Sequence, residues 1–191
     1  MEENMKKSVI ITIIIIAVVI LIGGALASSY NGLVRKAEGV DNAFSNIDTN
    51  LQRRADLIPN LVNTVKGFAS HETEIMKQVT DARAKLAGAT TVEDKANANG
   101  ELTSALNRLM VVVENYPDLK SSANFTQLAD ELAGTENRIS IARKDYNDSV
   151  KEYNLQIKKF PTNMIAGMFG FEEKQYFTAS ENANQVPNVE F

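Results

Sequence analysis

The sequence predicts an all-α protein, with an N-terminal transmembrane helix followed by an antiparallel up-and-down four-helix bundle. Three observations predict it. An uncharged apolar run opens the chain, and apolar residues then recur at spacings of three and four through most of the remainder. Proline and glycine number only 4 and 10 in 191 residues, so little interrupts long helices. The length fits one ordinary domain with an appendage. Residues 1–29 read as the membrane anchor and 30–160 as the bundle. Residues 161–177 read as an apolar cap or a membrane-interface segment, and 178–191 as a disordered polar tail.

The anchor comes first. No charged residue lies between Ser8 and Val34, and Val9–Ile22 is almost wholly β-branched or leucine. Carried on to Ser28, the run holds about 20 residues, which at about 1.5 Å each span a hydrocarbon core of about 30 Å. β-Branched residues are mediocre helix formers in water, but lipid offers the backbone no other hydrogen-bond partner, so helix wins. Val9, Ile16 and Leu26 mark the start, middle and end of this anchor. A second reading stays open, a cleaved signal peptide: Lys6 and Lys7 supply the basic region and Ala25-Leu26-Ala27 the small-residue cleavage site. The run is at the long limit for a signal, which favours retention as a single-pass anchor. Lys6 and Lys7 stand closer to the apolar edge than Arg35 and Lys36, so the positive-inside rule leans towards an extracytoplasmic bundle.

After Tyr30 the first stripe runs Leu33, Ala37, Val40, Phe44, Ile47, Leu51, Arg54, Ile58, Leu61, Val65 and Phe68, a coiled-coil-like heptad pattern. Pro59 predicts a kink there, not a stop. A turn near Gly67–His71 closes this helix at Ala69. The second helix carries Ile75, Val79, Ala82 and Leu86, with Gly88 placed as its C-cap. Thr91-Val92-Glu93-Asp94 opens the third as a capping box, and Leu102, Leu106, Leu109, Val113 and Tyr116 follow before Pro117. The fourth is expected over Asp118–Phe160, with Asp118 as N-cap. Its stripe is Phe125, Leu128, Leu132, Thr135, Ile139, Ala142, Tyr146, Ser149, Tyr153, Ile157 and Phe160, and Pro161 closes it. The first and fourth helices are each about 60 Å long, and an up-down-up-down arrangement buries every stripe.

Antiparallel pairing of the two long helices sets residue i near residue 190 − i. Arg54 then falls level with Thr135 and Glu136, where the facing stripe also turns polar. A lone buried guanidinium is very costly, so an Arg54–Glu136 ion pair is expected, helped by Asn137, as a register lock. Tyr146 and Tyr153, seven residues apart, read as core aromatics whose hydroxyls reach the rim.

The remaining composition excludes much chemistry. There are 20 Lys and Arg against 24 Asp and Glu, a net charge of −4, so no nucleic-acid partner is expected. There is no Cys and one His, which removes thiolate and multi-histidine metal sites and leaves a Ser-His-Asp arrangement resting on His71 alone. His71-Glu72-Thr73-Glu74 lacks the His-Glu-x-x-His spacing and reads as a solvated turn. No cofactor, no metal and no catalytic activity are expected. After the fourth helix come Pro161, Met164, Ile165, Ala166, Met168, Phe169 and Phe171 with no charge before Glu172. This segment, chiefly Met164, Ile165, Met168, Phe169 and Phe171, either lies in the headgroup zone or folds over the open end of the bundle.

Several stretches together resemble the bacterial LemA family. They are the N-terminal anchor, Tyr30-Asn31-Gly32-Leu33-Val34, the segment from Val40 to Glu72, and Thr135-Glu136-Asn137 leading through Ala142-Arg143 to Tyr146-Asn147 and Tyr153-Asn154. Phe160-Pro161 and Gly170-Phe171 complete the set. The resemblance covers about residues 1–177. Phe44 and Phe68 stand where Trp and Tyr are common in that family. The resemblance implies a single-pass membrane protein with an antiparallel four-helix bundle, favours an anchor over a cleaved signal, and supplies no catalytic residues. The expected role is a membrane-anchored scaffold or adaptor, with the lipid bilayer and a membrane or envelope protein as partners; lateral self-association is compatible with it. The alternative is a sensory or ligand-binding bundle that signals through a partner.

Overall fold

The computed structural model describes residues 2–178, with side chains from Ile10 onward; the side chain of Val9 and the tail at 179–191 lie outside the described residues. The elements are α1 (Glu2–Phe68), α2 (Thr73–Gly88), α3 (Val92–Val113), α4 (Pro117–Lys120), α5 (Ala123–Lys158) and α6 (Thr162–Phe169). No strand occurs among the described residues.

α1 joins the apolar run and the first stripe in one continuous helix, and it passes through the exposed Pro59 without a stop. It is the one helix among the described residues long and apolar enough to cross a membrane, and the side chains of its apolar run are exposed throughout. Ile16 and Leu26 are both about half exposed to the surroundings, with no protein covering them. Downstream the stripe turns inward, and Leu33, Val40, Ile47, Leu51, Ile58, Leu61 and Val65 are almost wholly buried.

Packing resolves into two units. One comprises residues 2–41 and 149–174, the other 42–148 and 175–178. The first has Leu33, Val40, Val150, Tyr153, Ile157 and Ile165 in its core. The second is built on Ile47, Leu61, Val79, Leu102, Leu109 and Ile139, to which Phe125, Tyr146 and Phe177 add buried rings.

Side chains tie the helices of the second unit together. Arg83 Nε donates to the Ala55 carbonyl at 2.8 Å, joining α2 to α1. Lys85 pairs with Glu101 at 2.6 Å between α2 and α3, and Lys95 of α3 pairs with Asp48 of α1. The rings of Phe44 and Tyr146 lie 5.6 Å apart between α1 and α5. Thr91 caps α3, accepting the Asp94 amide at 3.0 Å.

Four expectations need correction. The fourth helix does not start at Asp118: Pro117–Lys120 form a separate turn, and α5 begins at Ala123. Ser122 sits at the cap position instead, its hydroxyl accepting the Phe125 amide at 3.3 Å, and the fully buried Leu119 holds the preceding turn apart. Phe68 and Phe160 are exposed although the stripes include them, because each lies at a helix end, past the last position with a facing wall. On α5 Val150 is fully buried and Ser149 only half-buried. Val150, four residues after Tyr146 and three before Tyr153, lies on the same helical face as both tyrosines. Gly88 ends α2 but holds no left-handed conformation; among the described residues only Gly170, at φ 74°, has positive φ.

Candidate functional site

Three arrangements depart from plain apolar packing. The first centres on Arg54, of which only 3% is exposed. Its Nη1 lies 2.5 Å from Glu136 Oε2 and donates to Asn99 Oδ1 at 2.8 Å and to Thr103 Oγ1 at 3.0 Å. Two helices, α3 and α5, thus supply acceptors to a guanidinium carried by α1, while its Nε has no hydrogen-bond partner among the described residues. Burial pulls the Arg54 guanidinium below its ordinary range, and the Glu136 charge opposes that pull. The group still carries its proton at any physiological pH. Asn137, expected to help, is exposed instead, since it lies about 100° round the helix from Glu136. Asn99 and Thr103 take its place. The available signal was spacing: Asn99 stands three residues before Leu102 on the α3 stripe, where an apolar residue is due.

The second arrangement holds the segment after α6, and it occurs once in each unit. In the first unit the Tyr153 hydroxyl donates to the Glu172 carbonyl at 2.9 Å. Asn154 gives its amide to the Lys174 carbonyl and accepts the Lys174 N–H, both at 2.9 Å. In the second unit the Tyr146 hydroxyl donates to the Gln175 carbonyl at 2.8 Å. Asn147 donates to the Phe177 carbonyl at 3.1 Å and accepts the Phe177 N–H at 2.8 Å. Each Asn therefore completes both backbone groups of one residue, as a neighbouring β-strand would. The Phe177 ring is buried, with the Arg143 guanidinium 5.3 Å from its centroid. The tyrosines do sit in the core with their hydroxyls engaged, but the asparagines carry half of the arrangement. The Tyr-Asn pair recurring at seven residues was the readable sign.

The third is α6. Thr162, Ile165 and Ala166 face inward and are buried, so Ile165 belongs to the inner face and not to an exposed interface segment. Met164, Met168 and Phe169 are largely exposed, and so is Phe160 just before the helix. Tyr30 of α1 touches Phe169 at 4.9 Å and Phe171 at 5.7 Å between ring centroids. Gly170 in the left-handed region ends the helix, and the Phe171 N–H returns to the Ala166 carbonyl at 2.9 Å.

Elsewhere chemistry is thin. His71 is exposed, and Glu72 accepts the Tyr116 hydroxyl at 2.9 Å. Among the described residues no group of three His, Asp or Glu side chains is placed to hold a metal ion. A groove of about 660 Å³ between α2 and α3 includes Gln78, Lys85, Glu101 and Arg108. Its polar groups pair with each other, Lys85 with Glu101 and Arg108 with Gln78.

Comparison with known proteins places these features in a family. The model of the LemA family matches residues 43–191. Magnetosome protein MamQ 2 of Paramagnetospirillum magneticum is 31% identical, over 80% of this chain and 65% of its own length. Magnetosome protein MamQ of Magnetospirillum gryphiswaldense is 29% identical over the same shares. Protein LemA of Metamycoplasma hominis is 28% identical, over 79% of this chain and 69% of its own. This chain thus spans just under two thirds of the length of the MamQ relatives. The chain belongs to the LemA family.

Proposed function

We propose that the protein is a single-pass, membrane-anchored four-helix bundle that acts as a non-catalytic scaffold or adaptor for other membrane or envelope proteins. The observation that carries this reading is the contrast within α1. Its N-terminal part bears apolar side chains with no protein cover, and its remainder buries a regular seam. The bundle reading is supported by the side-chain ties among α1, α2, α3 and α5. The scaffold reading draws on the self-paired polar groups described above. The names of the relatives, LemA and magnetosome protein MamQ, state no reaction. The partner in this reading is a protein in the same membrane or envelope, and the lysines before the apolar run lean towards a bundle outside the cytoplasm.

Crosslinking in native membranes tests the role. It is expected to trap a defined heterologous partner on the bundle; recovery of monomer alone counts against a scaffold. A C-terminal topology reporter, active on one side of the membrane only, tests the orientation separately.

A further inference from the structure

We propose that the outer face of α6 is a second membrane contact, lying in the headgroup and acyl boundary of the bilayer that the apolar run of α1 crosses. Met164 and Met168 stand one helical turn apart, 63% and 76% exposed, and Phe160 and Phe169 flank them at 75% and 59%. Other large apolar side chains exposed on α2 to α5 are scattered, as is normal for a protein surface. Four within ten residues form a patch that needs an occupant.

Lipid is the occupant favoured by position. Tyr30 follows the end of the apolar run by two residues, and its ring packs on Phe169 and Phe171. α6 is therefore fastened at the level where α1 leaves the hydrocarbon, where tyrosine is enriched. Burial of Thr162, Ile165 and Ala166 fixes the helix about its axis and turns the methionines outward. From Phe160 to Phe171 no residue is charged, while Lys158, Lys159, Glu172 and Glu173 bracket the stretch and stay exposed. That is an apolar face with polar ends, the form an in-plane helix takes. A second copy of the chain is a poorer occupant. One face of an eight-residue helix falls well short of the roughly 800 Å² per partner that a stable interface buries.

The proposal rests on the apolar run being a bilayer span, and the test keeps the two apart. The chain has no Cys, so single-cysteine variants of the full-length protein take an environment-sensitive fluorophore at one site. Labels go at Ile16, Met164, Met168 and, as an aqueous control, the exposed Gln127. The protein is reconstituted into phosphatidylcholine–phosphatidylglycerol vesicles. Met164→Cys and Met168→Cys labels are expected to be blue-shifted, quenched several-fold more by shallow doxyl-lipid than Gln127→Cys, and shielded from iodide. Iodide quenching equal to that at Gln127 overturns the proposal, and a buried Ile16→Cys label in the same vesicles shows that the span survives. A wet Ile16→Cys label removes the span itself. Shielding without lipid quenching that strengthens at higher protein-to-lipid ratio also overturns it, in favour of contact between copies.

Discussion

A guanidinium almost wholly removed from water is tolerable only where its charge and its N–H groups are met, and Arg54 is met unevenly. Nη1 has three oxygen neighbours and Nε none. Glu136 keeps about 41% of its side chain exposed, so its attraction is screened relative to a fully buried pair. Glu136→Gln should therefore cost about 1–3 kcal/mol, below the 3–5 kcal/mol of a fully buried case. Arg54→Met, which keeps the stem, should cost less when Glu136 is already Gln. Urea melts of the two single variants and the double variant give the coupling; a value within error of zero would show the contact to be idle. The stripe exposes Arg54 as the wrong residue type on an apolar line, and the antiparallel register supplies the level of Glu136. Asn99 and Thr103 escape such reading, because the register of α3 against α1 depends on how α2 and two turns fold. Tyr153 gives the pH dependence. Burial of its hydroxyl raises its pKa above the ordinary 10.0, with Asp41 and Glu172 adding to the rise and Lys174 opposing it. The unfolded phenol then ionises first, so the stability Tyr153 contributes is full below pH 10 and lost as pH climbs beyond it. Tyr153→Phe should lose about 0.5–1.5 kcal/mol at neutral pH and flatten the alkaline decline, as denaturant midpoints from pH 8 to 11 would show.

At the level of elements, the helices were written in the residues and the segment after α6 was not. Stripes, Thr91 and the prolines foretell where α1, α2 and α3 run, because each signal is local. The α5 start was misplaced by a few residues since Asp118 and Ser122 both have cap chemistry, and only packing of Leu119, fully buried in the short α4, decides between them. Residues 171–178 have no helix period and no strand partner in the sequence, and their order comes from side chains about 20 to 30 positions earlier. The Asn donor is what a carboxylate cannot replace. Asn154→Asp keeps an acceptor for the Lys174 N–H but sets a negative oxygen against the Lys174 carbonyl. It should cost about 1–3 kcal/mol locally and accelerate amide exchange at Lys174 about 10-fold or more. Asn147→Asp should do the same at Phe177. Unchanged exchange at both amides would mean that the tyrosine hydroxyls and the Phe177 ring hold the segment without the asparagines.

For the whole molecule the deciding quantity is how much insertion energy the apolar run holds in reserve. Roughly a dozen Ile, Val and Leu between Val9 and Ile22, at about −0.3 to −0.6 kcal/mol each, favour the membrane by about 4–7 kcal/mol. One aspartate at the centre costs about 2.5–3.5 kcal/mol and also removes one favourable residue. Ile16→Asp alone should therefore stay with the membrane. Two such changes bring the sum near zero, and three, Ile13→Asp with Ile16→Asp and Val19→Asp, exceed it. The triple variant is expected in the carbonate-soluble fraction, with its helix content from residue 30 onward retained, because Leu33, Val40, Ile47 and the later seam do not depend on lipid. Alkaline carbonate extraction followed by circular dichroism reads both outcomes. A triple variant that stays in the pellet, without aggregating, would mean that something besides the apolar run holds the chain to the bilayer. The exposed face of α6 would then be the first place to look, and adding Met164→Ser and Met168→Ser to the triple variant should release it.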